Sequence, residues 1–438
     1  MDFSEFALAL GKLALIFSLI LLLLRFKIAL RAAILAGSLM VALLAGLSPA
    51  EWPGILFNSL TDKYFAILLL MVFLILLLSG VQEATGQSRK MVREVAFYLH
   101  SPRLRLVLFP ALVGLLPMPG GALFSCPMVK ATAQGMKNVT NERKSLINYW
   151  FRHIWELAWP LYPGYVLVCT LLNIPLTKLW LYTFPLVIFA FAIGWFFFLR
   201  NLSPAMTEQE NPPPAEAAEK KSLGAVLLHG LPIAVVLIGA VVFGIVFDRL
   251  FPQLPGPVAF CASLTAAIAV ALYQGREERT KSLPAIAFTP HVGRIFLLLA
   301  AIYVFKDTVA ASGLIASMSK LGDSGVLLVL TFILLPFVSG VVTGLCVGFV
   351  GLSFPLLIGI ALHSPLEEYI MPLIVLAMIA GNCGQLFTPM HVCLVVTAEF
   401  FTTTLPKLLR SLILPVTALG LMGALWALLL FIFTVLSA

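Results

Sequence analysis

The chain has 438 residues, 61% of them hydrophobic and 11% charged, and a mean hydropathy of +1.04. Repeated apolar runs of roughly 20 residues exclude a soluble globular fold and match the length a helix needs to cross a bilayer. The formal net charge of +8 does not point to nucleic acid, because Lys and Arg concentrate in one set of loops while the opposite set holds only Lys63, Lys178, Arg249 and Lys320, the positive-inside pattern.

In chain order, apolar spans are predicted near 5–24, 28–48, 63–82, 146–170 and 178–199. A second set follows near 224–247, 257–273, 291–312, 370–400 and 408–436. The first run follows Asp2 and Glu5 instead of a basic segment, so it reads as a retained span, not a signal peptide. Alternating strand patterns of an outer-membrane barrel are absent from the sequence. Residues 201–222, polar and proline-rich, read as a flexible cytoplasmic linker.

Two more apolar stretches, 106–134 and 325–361, are interrupted by Gly and Pro. A single crossing by 106–134 would put the basic segments on either side of it in different compartments. Keeping both in the cytoplasm requires a re-entrant hairpin, and the same logic makes 325–361 a hairpin entering from outside. The expected fold is therefore an all-α polytopic membrane protein. Residues 1–200 form a first repeat of five spans plus a hairpin, and residues 223–438 form a second with inverted topology. Both termini are expected to be extracytoplasmic, in a multi-pass protein of the cytoplasmic (inner) membrane.

Prolines mark the two halves in parallel. Pro127, Pro160 and Pro185 are separated by 33 and 25 residues; Pro355, Pro389 and Pro415 by 34 and 26. Flanking residues also match: Ser125 with Ser353, Glu156 with Gln385, Lys178 with Lys407. A proline inside a span deletes a backbone hydrogen bond and clashes with the preceding turn. The freed groups must face protein or a water-lined cavity. Inverted repeats with interrupted helices meeting at the midplane are how many secondary transporters build a binding site.

The candidate substrate- or ion-binding residues are those at the interruptions. Gly120, Gly121 and Ser125 mark the first hairpin tip; Thr343, Gly344 and Ser353 mark the second. Glu156 and Pro160, with Trp159 and Tyr162 nearby, lie in the first broken span, 146–170. Asn382, Gln385, Thr388 and His391 lie in the second, 370–400. Each hydroxyl has a bland alternative, a bond to its own helix backbone. Glu156 is costly to bury unless paired; Arg152, one turn before it, and the nearby His153 offer a structural role beside the functional one. His391 is a candidate proton carrier or a bonded structural histidine. Lys306 and Asp307 read as a local ion pair near a span end.

Other chemistry finds no support in the sequence. Cys126, Cys169, Cys261, Cys346, Cys383 and Cys393 form no CxxC pair, so neither a disulfide framework nor a thiolate metal site is indicated. "HIWE" at 153–156 is not the zinc-protease pattern. The row Gly340, Gly344, Gly348 is followed by no phosphate-loop lysine and reads as close helix packing. No nucleophile–base pair points to an enzyme.

The paired halves, the opposed hairpins and the proline-interrupted spans at "ELAWP" (156–160) and "QLFTP" (385–389) resemble the ion transporter superfamily. That group includes divalent anion/sodium symporters, citrate and gluconate permeases, arsenite pumps and the large membrane subunit of tripartite periplasmic transporters. The resemblance implies an elevator-type carrier, often dimeric, in which hairpins and broken spans form the moving part. In the sodium/dicarboxylate members of that group, paired Ser-Asn-Thr motifs at the hairpin tips hold the carboxylates and flank the Na⁺ sites. Here Ser125, Thr343 and Ser353 are present, and neither tip has the Asn. The expected function is secondary transport of a small organic anion by a homodimer in the lipid bilayer, coupled to Na⁺ or H⁺. It needs no organic cofactor and no metal beyond a coupling Na⁺ at the tips. The competing expectation is a cation/proton antiporter in which Glu156 and His391 carry protons and no organic substrate exists.

Overall fold

A computed structural model describes residues 3–115, 121–134, 136–204, 223–277, 280–319 and 325–437. The first half runs α1 (Phe3–Arg25), α2 (Leu30–Ala45), α3 (Trp52–Thr61), α4 (Lys63–Ala84), α5 (Gln87–Tyr98), α6 (Pro102–Gly114), α7 (Gly121–Ala133), α8 (Asn141–His153), α9 (Pro163–Leu172) and α10 (Leu176–Gly194). The second runs α11 (Leu223–Leu250), α12 (Pro257–Gln274), α13 (Leu283–Ala287), α14 (Pro290–Ala311), α15 (Leu314–Ser319), α16 (Gly325–Thr343), α17 (Cys346–Leu362), α18 (Ile370–Leu386), α19 (Val392–Phe400) and α20 (Leu405–Ser437). Two short strands, Met136–Lys137 and Ser203–Pro204, pair antiparallel.

Among the described residues, seven helices are long and apolar enough to cross a membrane. Local chemistry sets several starts. The Asp62 carboxylate accepts from the Tyr64 and Phe65 amides and caps α4. Thr140 caps α8 through the Arg143 amide, and Thr289 caps α14 through Val292. Each supplies an oxygen to first-turn amides that have no partner inside the helix.

Helices α6 and α7 have 13 residues each. At 1.5 Å per residue each reaches about 20 Å, short of the roughly 30 Å hydrocarbon core. They pack on each other and both pack on α8. Helices α16 and α17 are joined through Gly344 and Leu345 and also pack together. Gly344 has φ +60°, a left-handed conformation that glycine adopts without steric cost.

Helix contacts recur when the numbering is advanced by ten. Helix α1 packs on α2, and α11 on α12; α2 packs on α14, and α12 on α4. The pairs α3–α14 and α13–α4, and α1–α15 and α11–α5, follow the same rule. So do α6–α8 and α16–α18, α7–α8 and α17–α18, and α9–α17 and α19–α7.

Of the six paired prolines, only Pro160 and Pro389 stand in breaks. Pro127, Pro185, Pro355 and Pro415 lie inside α7, α10, α17 and α20. The Gly340–Gly344–Gly348 row does not line one helix face, because Gly344 forms the turn that ends α16. Gly340 meets α18, where a Cβ would lie 2.2 Å from the Gly381 carbonyl oxygen, and Gly348 of α17 meets the end of α16, where a Cβ would lie 2.6 Å from Thr343 Cβ. Lys306 and Asp307 pair at 3.0 Å. Residues 205–222 of the predicted linker lie outside the described residues.

Candidate functional site

Helix α8 and the turn that follows it carry a polar stripe. Ser145, Asn148, Tyr149, Arg152, His153 and Glu156 follow spacings of three and one, which keep them on one face of a 3.6-residue period. All six are buried, although a buried polar side chain is costly without a partner. Their partners come from the second broken span and its exit. The Ser145 and Thr403 hydroxyls lie 3.2 Å apart. Asn148 Nδ2 donates to Thr397 Oγ1 at 3.1 Å, and the Tyr149 hydroxyl donates to the Leu386 carbonyl at 3.2 Å. The His153 and His391 rings meet edge to face with centroids 4.5 Å apart. Glu156 accepts a hydrogen bond from Gln385 Nε2.

Both helices break where this stripe ends. Helix α8 passes into a 3₁₀ turn at Ile154–Leu157, and α9 begins at Pro163, where proline suits the first helical turn. Helix α18 ends at Leu386 and α19 begins at Val392, leaving Pro389 in the gap. The amide-rich start of α9 abuts that of α17: a Cβ on Gly164 would lie 2.5 Å from Cys346 Sγ and 2.8 Å from the Val347 nitrogen. The turn before α17 abuts the start of α19, since a Cβ on Gly344 would lie 3.1 Å from the His391 amide nitrogen. Arg152 reaches the start of α7, where a Cβ on Gly121 would lie 2.2 Å from its Nη1.

The predicted site residues divide by what they touch. Glu156, Gln385 and His391 meet at the crossing of the breaks. Asn382 lines the same narrow gap as His153, and its buried Oδ1 has no hydrogen-bond partner. The Thr388 hydroxyl donates to the Val341 carbonyl and ties the second break to α16. Gly121 and Gly344 lie against Arg152 and His391 as described. Ser125, Thr343 and Ser353 take the bland alternative: each hydroxyl donates to a carbonyl one turn back in its own helix, those of Gly121, Ser339 and Phe349. Pro160 lines an apolar cleft of about 420 Å³ with Leu176, Trp180, Leu237 and Val241. Gly120 lies outside the described residues.

Sequence reasoning missed Asn148, Tyr149 and Thr397, and it treated Arg152 and His153 only as neighbours of Glu156. The helical period of the polar stripe inside an apolar run was the signal that could have found the α8 residues. Sequence reasoning named Trp159 and Tyr162 in the first broken span but missed Trp155, and missed that all three aromatic donors satisfy the open end of α6. Trp155 Nε1, Trp159 Nε1 and the Tyr162 hydroxyl donate to the carbonyls of Ala111, Leu115 and Gly114 at 2.8, 2.8 and 2.6 Å. The last turn of a helix leaves such carbonyls without intrahelical partners.

Residues 9–432 match the family model described as "Protein of unknown function (DUF401)". The chain belongs to the DUF401 family. No curated protein matches this DUF401 chain. Among solved structures, its fold is similar to that of the Alcanivorax borkumensis YdaH transporter, whose description notes an unusual topology. The TM-score is 0.62 at 14% identity, covering 88% of this chain and 89% of that one. At that identity the likeness carries the fold alone. Together with the apolar helices, it makes this DUF401 protein a multi-pass membrane protein.

Proposed function

We propose that this DUF401 protein is a secondary active transporter of a small organic anion, coupled to Na⁺ or H⁺ and working by an elevator mechanism. The observation that carries the reading is the hydrogen bond between Glu156 and Gln385, 229 residues apart in sequence. It joins two helix interruptions across the interior of a membrane protein. Interrupted helices expose amides and carbonyls that lipid cannot satisfy, and such ends bind ions in transporters. The starts of α9, α17 and α19 lie side by side, and the positive ends of helix dipoles favour an anion. Buried Arg152, at the start of α7, adds a fixed cation of the kind that grips a carboxylate.

The contacts that recur on advancing ten helices support an inverted-topology repeat of residues 1–200 and 223–438, and with it membership of the ion transporter superfamily. In that arrangement α6–α9 and α16–α19 form the moving part, including the hairpins within 106–134 and 325–361. The remaining helices form a scaffold, which we expect to be homodimeric in the cytoplasmic membrane with both termini outside. Fold similarity to a named transporter is consistent with transport and leaves the substrate to experiment.

A thermal-shift screen of small mono- and dicarboxylates, with and without Na⁺, tests this directly, because a ligand that binds the folded state stabilises it by mass action. A carboxylate that raises the melting temperature of wild type, and of Glu156→Gln less, is expected. No response to any carboxylate in either salt would overturn the anion reading.

The contact of Glu156 with His153, 4.0 Å apart, and of His153 with His391 favours a second reading, a cation/proton antiporter with Glu156 and His391 as proton carriers. Proteoliposomes loaded with a pH dye separate the two: proton movement driven by Na⁺ alone, with no organic anion present, selects the antiporter.

A further inference from the structure

His153, His391 and Cys393 come from two different broken spans, and one ligand atom from each lies within 4.8 Å of the other two. We propose that these three side chains form a binding site for a thiophilic divalent transition metal of the Zn²⁺ class. The site goes beyond the anion carrier described above and does not depend on it.

The donor set is the first argument. Two imidazoles and a thiolate suit Zn²⁺ or Co²⁺, whereas Na⁺, Mg²⁺ and Ca²⁺ take oxygen ligands. Orientation is the second. His153 Nδ1 lies 2.6 Å from the Tyr149 carbonyl, which fixes the proton on Nδ1 and turns Nε2 outward as the lone-pair nitrogen. An imidazole held by such a backbone partner is the usual state of a metal-ligating histidine. His391 is 4% exposed, and its Nδ1 has no hydrogen-bond partner. A buried ring nitrogen without a partner is uncommon in protein interiors, and its lone pair is suited to a metal ion.

Room and charge complete the case. Tetrahedral ligand atoms stand roughly 3.3–3.8 Å apart for metal–ligand bonds of about 2.0–2.3 Å, so the cluster must contract by about 1 Å. Cys393 is partly exposed, whereas the other five cysteines are buried, so it is the most accessible of the six to an arriving ion. Glu156 Oε1, 4.0 Å from His153 Nε2, is a nearby oxygen donor for the fourth position. Arg152 stands beside Cys393 and opposes a cation, as does the start of α19. The Cys393 thiolate and the Glu156 carboxylate supply two negative charges against Arg152 and the divalent ion. A bound ion would clamp the end of α8 to the start of α19 and hold the two breaks together.

The test uses the full-length protein in detergent and Co²⁺ alone as the probe. Wild type is expected to bind one Co²⁺ per chain, with tetrahedral visible absorption and a thiolate-to-cobalt charge-transfer band. Cys393→Ser should abolish that band, whereas Cys261→Ser should keep it. His153→Ala and His391→Ala should each weaken binding by more than roughly tenfold, the loss that even outer partners of a metal cause. A second measurement needs no variant: Zn²⁺, but not Mg²⁺, should slow alkylation of Cys393 in the wild-type protein, read by peptide mass spectrometry. No charge-transfer band in wild type, an unchanged band in Cys393→Ser, or equal alkylation with and without Zn²⁺ would each overturn the site.

Discussion

Glu142 shows how a single carboxylate reports on the fold. It begins α8 on the side read as cytoplasmic, 2.8 Å from Lys407 Nζ, and accepts from the Ser411 hydroxyl. Partial burial pushes its carboxyl up, but the bonds from Lys407 and Ser411 and the nearby charges outweigh that and hold it below its ordinary value. A depressed carboxyl stabilises the fold at pH values above its unfolded pKa of roughly 4.3. That stabilisation is lost as pH falls through the lower folded value. Glu142→Gln should therefore melt below wild type at pH 7, and the gap should close in acid; melting curves of both proteins across pH 3–7 check the sign. Glu156 makes a different prediction. If it carries the coupling proton, Glu156→Gln removes the pH dependence of substrate uptake in proteoliposomes, and an unchanged profile returns it to a structural role beside Gln385.

Residue types told part of this in advance. Glu156 and Gln385 stood out because polar groups are expensive inside a membrane, and their flanking prolines placed them at interruptions. The hydroxyls of Ser125 and Ser353 looked equally promising, yet each bonds its own helix. Nothing in a sequence distinguishes a hydroxyl turned to a ligand from one turned to the preceding carbonyl. The cluster of His153, His391 and Cys393 was hidden for a different reason. Its members are 238 positions apart at the first step, from 153 to 391, so no local spacing reveals them.

At the scale of elements, both interruptions were legible and the short helices were not. Proline marks a break only where the backbone cannot absorb it: Pro160 and Pro389 fall between helices, whereas Pro127, Pro185, Pro355 and Pro415 are carried inside them. Helices α3, α5, α13 and α15 are too short to show as spans, and they join the second-order packing between halves. Close approach of α16 and α18 depends on small residues. A Cβ on Gly384 would lie 2.0 Å from the Phe337 carbonyl oxygen, so the two backbones nearly touch. Gly384→Val is expected to destabilise the protein by about 1–3 kcal/mol or more through overpacking. Gly420→Ala, whose added carbon would meet Cys383 Sγ at 3.5 Å, should melt within a degree or two of wild type. Equal melting of the two variants would show that α16 and α18 are not in contact as described. The aromatic comb on α6 gives a smaller effect: Trp159→Phe removes one buried donor and should cost about 1 kcal/mol, read as a lowered melting temperature.

The whole molecule brings together what neither half holds. The polar face of α8 has its partners on α18, α19 and the segment after them. Each broken span therefore supplies half of one buried network. Composition alone established the membrane class, and proline spacing pointed to two related halves. The network itself was out of reach of the sequence, because it depends on which helices the tertiary fold sets side by side. The proposed function rests on that juxtaposition: it takes the helix starts, Arg152, Asn382 and Thr388 near the two breaks as the place where a small anion would be held. The decisive measurement is uptake of a carboxylate identified by thermal shift, in proteoliposomes of wild type, Asn382→Ala and Thr388→Ala, with size-exclusion profiles to show that each variant is folded. Wild type should accumulate the anion under a Na⁺ or proton gradient, and both folded variants should fail to. Near-normal uptake by both would contradict a binding site at the crossing of the two breaks.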